Sequence, residues 1–251
     1  MRVIIDEKKV KRQALIGRVA LFGSLAILVG GLLVTLFGQQ LGLFDLNNLT
    51  LFYIIYTVVL VAGFGISRIG MYYGNRYLAA TRPEMVLRDC LKGLDRKFAL
   101  MIFKTPVDYV LIEPGGVTVL VVKTQAGKID YKNGKWKSRQ GVLSYWLGRD
   151  EPLGNPEEEA KEGMAKVNAI FTEKIPNLKI PLRAVILFSN PKAALNLELS
   201  PIKVLRSDEV KDYLRGEGKL KELPNSIQRQ VRACLGAPEL PSGEKPPEGK
   251  Q

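Results

Sequence analysis

Histidine is absent from the 251 residues of this chain, and cysteine occurs only twice. The lack of histidine excludes Ser-His-Asp and Cys-His catalysis, imidazole metal ligands and nucleases that use a histidine base or a phosphohistidine intermediate. Two cysteines cannot supply a four-thiolate zinc site, so Cys90 and Cys234 are expected to be small buried hydrophobic residues. Lysine and arginine number 37 against 25 aspartates and glutamates, which gives a net charge of +12.

Charged residues are missing from two long apolar runs near the amino terminus, residues 19–37 and 51–66. A helix rises about 1.5 Å per residue, so ~17–20 residues cover most of the ~30 Å hydrocarbon core of a bilayer. We therefore predict a transmembrane helical hairpin over residues 19–75. The alternative is a pair of buried helices in a soluble domain, but such helices seldom lack charge for so long. A secretory signal would be shorter and would precede a soluble chain rather than a second apolar run.

Lysine and arginine are also missing from residues 38–50, which join the two apolar runs and carry only Asp45 as a charged residue. Basic residues flank the runs instead: Arg2, Lys8, Lys9, Lys11, Arg12 and Arg18 before the first, and Arg68, Arg76 and Arg82 after the second. Cytoplasmic flanks carry the excess of lysine and arginine, so the pattern predicts a multi-pass protein of the cell membrane with both termini cytoplasmic. Residues 1–18 are then a basic cytoplasmic segment.

Small residues recur at a spacing of four within the apolar runs and just after the second. The pairs are Ala26/Gly30, Gly63/Ser67 and Gly70/Gly74. Such spacing allows two helices to approach closely. The pattern is compatible with packing of the hairpin on itself or with a homo-oligomer formed through the hairpin, and glycine is common in membrane spans in any case.

From about residue 79 the composition becomes that of a soluble domain, predicted over residues 79–236, followed by a disordered Pro/Gly-rich tail over 237–251. Helices are predicted from Pro83, with a stripe of Leu87, Leu91, Leu94 and Phe98, from Pro156 with Asn155 as cap, and near Ser207 and Asn225. Aliphatic runs predict strands over 99–103, 107–112, 117–123, 182–188 and 202–205, and Asn133-Gly134 predicts a hairpin. The fold class is therefore α/β, a mixed sheet flanked by helices.

Part of this domain resembles the nuclease-related (NERD) domain. The resemblance rests on residues 107–117 (VDYVLIEPGGV), the continuation through Lys123 and residues 127–129 to Trp136, the pair Asn155-Pro156, and the strand that ends at Phe188-Ser189. It covers roughly residues 79–215. The NERD family resembles a branch of the PD-(D/E)xK nucleases, so the resemblance implies a restriction-endonuclease-like fold. The two apolar runs lie outside the match.

The resemblance implies a site for Mg²⁺-assisted phosphodiester hydrolysis. An Asp at the end of one strand and a Glu on the next strand would hold the cation. The Glu stands two residues before a Lys, which would assist the attacking water. The matching positions are Asp108, Val121 and Lys123, so valine replaces the motif glutamate. Glu84 matches an acidic residue that this fold often adds to the metal site, and the middle-helix glutamine of the family falls on Glu159. The implied catalytic residues are Asp108, Lys123 and Glu84, with Asp108 and Glu84 as metal ligands.

Each candidate also has a simple structural explanation. Asp108 could end a loop, Glu84 could only cap its helix, and Lys123 could be a solvated charge at a strand end. Val121 would then be ordinary core, and Gln125 is a weaker candidate on the face of Lys123. Because valine offers no oxygen ligand, Mg²⁺ is expected to bind weakly or not at all.

A basic segment follows the last motif residue, Lys123. Its members with an expected role in nucleic-acid binding are Lys128, Lys132, Lys135, Trp136, Lys137 and Arg139, with Tyr131 interleaved. Lysines can neutralise phosphates of DNA or RNA, and aromatic rings can stack on exposed bases. The same charge would be attracted to an anionic lipid membrane, at ~1 kcal/mol per residue near its surface. A solvated hairpin without a partner is equally compatible.

These observations favour a membrane-anchored, nuclease-derived module that binds nucleic acid, with catalysis lost or impaired because Val121 replaces the motif glutamate. One alternative is an active Mg²⁺-dependent nuclease with an altered metal site. Another is a membrane-surface scaffold whose basic hairpin lies on lipid.

Overall fold

The structure is a computed structural model that describes residues 1–38, 40, 42, 49–77, 83–139 and 152–239. These residues form two compact units. One unit contains the two apolar helices. The other contains the first six residues of the chain together with the described residues from Pro83 onward. Most of the predicted tail, 240–251, lies outside the described residues, as does most of the segment between the apolar helices.

The apolar unit consists of helices α1, Glu7–Phe37, and α2, Leu49–Tyr77. Both are long and apolar enough to cross a membrane. Many of their large side chains are exposed, for example Phe22 and Val61 at 72% and 66%. An exposed apolar surface of this extent is typical of a segment that contacts lipid or another protein. Helix α1 begins well before its apolar run, because the basic residues that precede the run continue the same helix.

Glycines allow α1 and α2 to approach closely. A Cβ at Gly63 would lie 2.8 Å from Leu28 Cδ2, and a Cβ at Gly70 would lie 2.8 Å from the backbone nitrogen of Leu21. At Gly30, by contrast, a Cβ would meet nothing within 4 Å. Gly63 and Gly70 are therefore used within the hairpin, as small residues between packed helices usually are.

The second unit is built on a six-stranded mixed sheet with strand order β1-β2-β3-β4-β7-β9. Its strands are β1 Arg2–Ile5, β2 Ala99–Ile102, β3 Tyr109–Glu113, β4 Gly116–Lys123, β7 Leu182–Phe188 and β9 Lys203–Arg206. β3 pairs antiparallel with β2 and β4, and the other neighbours are parallel. β4 lies inside the sheet and is buried on both faces, which explains why its sequence is almost continuously apolar.

A smaller three-stranded sheet has the order β6-β5-β8. Its strands are β5 Gly127–Lys132, β6 Lys135–Arg139 and β8 Ala193–Leu197. β5 and β6 form the predicted hairpin, and its turn contains Asn133 and Gly134, both with positive φ. A type I′ turn requires positive φ at two successive residues, which Asn-Gly adopts readily. The third strand, β8, pairs parallel with β5.

Four helices complete this unit: α3 Pro83–Cys90, α4 Pro156–Lys174, α5 Val210–Arg215 and α6 Asn225–Leu235. The Asn155 side chain caps α4 as predicted, and Pro156 begins the helix. Helix α4 crosses β4 so closely that a Cβ at Gly163 would lie 2.9 Å from Val119 Cγ1. The main core therefore lies between α4 and the face of the sheet that carries Val119. The mixed α/β class is confirmed.

The structure differs from the sequence-based expectations in three places. Helix α3 ends at Cys90, although Leu91 and Leu94 of the predicted stripe are buried. Gly93, with φ of +87°, turns the chain out of the helix, and Leu94 donates its amide to the Leu91 carbonyl instead. Strands β1 and β8 were not predicted, since each is short and pairs with residues far away in sequence.

Candidate functional site

The candidate site lies where β4 ends, at Lys123. The backbone of this residue is held by Ser189, whose amide and hydroxyl both donate to the Lys123 carbonyl at 2.8 and 3.2 Å. The Asn190 amide group donates to the next carbonyl, that of Thr124, at 3.0 Å. The end of β4 is therefore fixed to the end of β7, and the origin of the Lys123 side chain is fixed with it.

Lys123 and Glu159 form an ion pair. Lys123 Nζ lies 2.6 Å from Glu159 Oε1, and the side chains are 9% and 49% exposed. Glu159 belongs to the first turn of α4, which covers this face of the sheet. Gly154, with φ of +64°, lies beside the pair, where a Cβ would be 3.1 Å from Glu159 Oε1. The structure thus joins Lys123 to the residue that stands at the middle-helix position of the resemblance.

Val121 and Gln125 occupy the positions on either side of Lys123 on the same face. Val121 is 8% exposed and belongs to the apolar core that α4 covers. Gln125 is buried, and its Nε2 donates to the Pro152 carbonyl at 3.3 Å. Valine is therefore a core residue here, and the buried glutamine binds the segment that leads into α4.

Asp108 directly precedes β3 rather than lying within it. The register of β3 with β4, in which Val110 faces Val119, places Asp108 opposite Val121 when it is extended by two residues. Asp108 closes a turn in which its carbonyl accepts the Phe103 amide at 2.8 Å, and Phe103 has an unusual φ of +58°. The topology therefore brings Asp108 to the same end of the sheet as Lys123, and the loop-ending role foreseen for it is present.

Glu84, the second expected metal ligand, is 4% exposed at the start of α3. Its expected capping partner, Thr81, lies outside the described residues. Across the described part of the chain, no three carboxylates or thiols come together in a set that could hold a metal ion. Mg²⁺ takes near-octahedral oxygen ligands. Of the three strand positions of the motif, only Asp108 offers a carboxylate, since Val121 replaces the glutamate and Lys123 is paired with Glu159. The described residues do not fit a nuclease-type Mg²⁺ site.

The basic segment forms one face of the three-stranded sheet. The register pairs Lys128 with Arg139, Asp130 with Lys137 and Lys132 with Lys135. These residues alternate with core residues, so Lys128, Asp130, Lys132, Lys135 and Lys137 share a face, and the side chain of Arg139 lies outside the described part of the structure. The four lysines are exposed. Asp130 is buried, and its Oδ1 accepts Asn196 Nδ2 at 2.8 Å. We call this surface, defined by Lys128, Lys132, Lys135 and Lys137, the basic face.

Tyr131 and Trp136 lie on the opposite side of the same sheet. Their rings are 4.7 Å apart, and Trp136 lies 6.2 Å from Phe188 in the core. The Tyr131 hydroxyl donates to Glu157 of α4 at 3.0 Å, and this hydrogen bond raises the pKa of Tyr131. The expected stacking of bases on Trp136 and Tyr131 is therefore corrected: side chains alternate along each strand, so the aromatic rings face the core when the lysines face solvent.

A buried charge cluster at the other end of β4 was not predicted. Arg183 Nη2 donates to both carboxylate oxygens of Glu113 at 2.9 and 3.0 Å, and Arg183 Nε donates to Thr118 Oγ1 at 2.8 Å. The Thr118 hydroxyl also donates to Glu113, and Arg183 Nη1 donates to the Gly218 carbonyl at 2.5 Å. The three residues come from three neighbouring strands, so only the pairing of β3, β4 and β7 brings them together.

Comparisons with known proteins add no family assignment. No protein-family model matches the chain, and neither the curated proteins nor the solved structures give a significant match.

Proposed function

We propose that the chain is a membrane-anchored, nuclease-derived module that binds nucleic acid through the basic face and has lost or weakened its catalytic chemistry. The single observation that carries the proposal is the register of β5 and β6, which gathers four exposed lysines on one face. Cationic side chains on such a face bind phosphates by releasing counterions, without reading sequence. The resemblance to NERD domains supplies the expectation that the phosphates belong to DNA or RNA.

The end of β4 supports the loss of catalysis. Val121 packs in the core where the resemblance requires a metal-binding glutamate, and Lys123 is bound to Glu159. An ammonium has three N–H donors, and the ion pair with Glu159 takes one of them. The topology at this end agrees with a PD-(D/E)xK-like ancestry, since Asp108 and Lys123 reach one end of one sheet.

The path of the chain supports a cytoplasmic orientation for both termini. β1 is an edge strand of the six-stranded sheet of the second unit, where it pairs with β2. One residue separates β1 from α1, and α2 is followed by α3, which belongs to the second unit again. A folded sheet cannot be divided by a bilayer, so two crossings must return the chain to the side from which it left. The basic flanks favour the cytoplasm as that side.

Nucleic-acid binding by the full chain, in micelles of an uncharged detergent, tests the proposal. We expect DNA duplexes of unrelated sequence to bind with similar affinity. Replacing Lys132, Lys135 and Lys137 by Gln should weaken binding and flatten the salt dependence, by up to about 3 in the slope of log K against log salt.

The matched control removes three exposed lysines from other surfaces: Lys166, Lys179 and Lys221, each replaced by Gln. It changes the net charge by the same amount and should bind as the native chain does. Equal weakening in both triple variants would reduce the effect to net charge and contradict a defined face. Binding of anionic vesicles without any binding of nucleic acid would favour the scaffold alternative.

A further inference from the structure

A cavity of about 440 Å³ opens at the beginning of β4, at the opposite end of this strand from Lys123. Its lining comes from three segments: residues 93–98 after α3, the turn 113–115 between β3 and β4, and residues 214–222 at the end of α5 and after it. Pockets that bind small molecules in proteins have volumes of ~300–1,000 Å³. The cavity is therefore large enough for a small organic molecule.

The three segments are tied to one another, so the cavity exists before any ligand binds. Arg215 Nη2 donates to the Gly93 carbonyl at 2.7 Å, and the Leu223 amide donates to the Pro114 carbonyl at 3.0 Å. The loop after α5 packs against the turn between β3 and β4 so closely that a Cβ at Gly115 would lie 2.5 Å from the nearest atom of the loop. A site whose walls are already in place loses little conformational entropy on binding.

The interior of the cavity is apolar. Leu94 and Leu214 line it as buried residues, and Phe98 and Leu220 line it as half-buried residues. Transfer of an apolar ring or chain from water to such walls is favourable. The interior thus fits the apolar part of a ligand.

Two exposed cations, Arg215 and Lys219, stand at the mouth of the same cavity. Within the described part of the chain, neither has a carboxylate within ion-pair distance. The Arg215 guanidinium donates to the Gly93 carbonyl, which leaves its other N–H donors available. Guanidinium and ammonium groups bind carboxylates and phosphates through charge-assisted hydrogen bonds. The mouth therefore fits the anionic part of a ligand.

The carboxylates that line the cavity do not cancel these two cations. Glu113 is bound to Arg183, which is not part of the lining. Glu222 is bound to Lys97 rather than to either cation at the mouth. Asp95 is left, and its Oδ1 accepts the Lys97 amide at 3.2 Å. Two cations thus face one uncompensated carboxylate, which favours an anionic ligand over a neutral or cationic one.

We propose that this cavity is a binding site for a small organic anion, an apolar ring or chain that carries one carboxylate or phosphate group. The apolar part lies against Leu94, Phe98 and Leu214, and the anionic group meets Arg215 and Lys219. The site goes beyond the proposed nucleic-acid function, because it uses no residue of the basic face and lies at the other end of β4 from the motif residues. Binding requires no metal ion and no covalent step.

A ligand-observed NMR titration of the full chain in uncharged detergent tests the site, with empty micelles as the blank. Phenyl phosphate and benzoate are the probes, because each joins one ring to one anionic group. Benzyl alcohol carries the ring without the charge, and inorganic phosphate carries the charge without the ring. We expect each of these two partial probes to bind at least about tenfold more weakly than the tighter of the two full probes, since each loses one of the two interactions.

Replacement of one cation at the mouth locates the bound anion. Lys219→Gln should weaken binding of the tighter full probe about tenfold and leave that of benzyl alcohol unchanged. Lys219 is exposed, so the variant should retain the fold. Lys221→Gln is the matched control, because Lys221 is exposed in the same loop but does not line the cavity, and it should bind the probe as the native chain does. The triple variant of Lys132, Lys135 and Lys137 should also bind the probe as the native chain does.

Binding that follows this pattern supports the site, and the tighter full probe identifies the preferred anionic group. The site is wrong if a partial probe binds as tightly as both full probes, if Lys219→Gln has no effect, or if Lys221→Gln weakens binding as much. It is also wrong if the triple variant of the basic face loses the probe, because the anion would then bind there. The nucleic-acid measurements are separate, so the proposed function and this site can each fail without the other.

Discussion

The two ends of β4 carry charged clusters of different character. At its beginning, on one face of the sheet, Thr118 contacts the pair formed by Glu113 and Arg183, whose side chains are 2% and 19% exposed. At its end, on the other face, Lys123 contacts Glu159, which is half-exposed. The first cluster has several hydrogen bonds per group, and the second is an ion pair between Lys123 and Glu159.

The difference separates a structural charge pair from an exchangeable one. Glu113 accepts hydrogen bonds from Arg183 and Thr118 and is 2% exposed, so water cannot solvate its carboxylate without opening the fold. Glu159 can leave Lys123 by rotating a side chain. A buried charge with a buried partner is thus held by the fold, whereas a buried charge with an exposed partner can lose it, although both lie on one strand.

The largest effect is expected at the enclosed cluster. Glu113→Gln removes the counter-charge of Arg183, whose side chain is only 19% exposed, so we expect the free energy of unfolding to fall by about 3 kcal/mol. Chemical denaturation of the full chain in detergent measures this loss. Glu162→Gln, which removes an exposed carboxylate paired with Lys166 at 3.6 Å, is the control and should change stability by at most about 0.5 kcal/mol. Similar losses in the two variants would show that enclosure does not make Arg183 more dependent on its counter-charge than an exposed lysine is.

The next effect is expected at the motif position that valine occupies. A carboxylate in Val121→Glu enters a packed apolar face, so we expect a loss of about 2–3 kcal/mol in stability.

The native chain should cleave DNA and RNA poorly or not at all in Mg²⁺ or Mn²⁺, and Asp108→Ala should leave any residual rate unchanged. Robust native cleavage that Asp108→Ala abolishes would contradict this expectation. Stabilisation of Val121→Glu by Mg²⁺ would show that the face still forms a metal site.

The difference in exposure between Lys123 and Glu159 predicts two smaller losses of stability that differ in size. Lys123→Met leaves Glu159 free to be solvated, so we expect a loss below about 1 kcal/mol. Glu159→Gln leaves the buried ammonium unpaired and should cost more than Lys123→Met. The two unfolding free energies, measured in chloride buffer, test the order. Equal losses in the two variants would show that Lys123 and Glu159 depend on each other equally, as expected for an enclosed pair such as Glu113 and Arg183.

The smallest effect is expected for Lys97 and Glu222, an ion pair exposed on both sides. The hydrogen bond from Lys97 lowers the pKa of Glu222. A carboxyl with a lowered pKa stabilises the fold above its unfolded pKa, and this contribution is lost as pH falls through the lowered value. Glu222→Gln should therefore reduce stability by at most about 0.5 kcal/mol near neutral pH, with the difference vanishing in acid. A difference that grows on acidification would contradict the sign.

Much of the fold followed from local patterns. Residues 182–188 form the predicted strand, Asn133-Gly134 forms the predicted turn, and Asn155-Pro156 begins the predicted helix. The missed elements are short strands whose pairing is not local. β1 is four residues long and pairs with residues nearly a hundred positions later, and β8 pairs with β5 across more than sixty residues. Neither strand shows a regular alternation that would distinguish it from a loop.

The candidate site was predictable in its residues but not in its pairing. Sequence spacing places Val121 and Lys123 on one face of a strand, and the structure has them there. The partner of Lys123 could not be deduced, because Glu157, Glu158 and Glu159 follow one another in one helical turn. Which of the three meets Lys123 depends on how α4 is rotated against the sheet, and that rotation follows from packing such as the contact of Gly163 with Val119.

The amino-acid sequence by itself determined the two apolar helices, the α/β class and the positive charge of the hairpin, because each depends on composition or on periodicity along a short segment. Only the tertiary structure decided that the lysines and aromatic rings of the hairpin face opposite ways toward solvent and core, that Glu113 meets Arg183, and that Glu159 meets Lys123. Each of these contacts depends on strand register and helix rotation, which are set by the packing of side chains from distant parts of the chain.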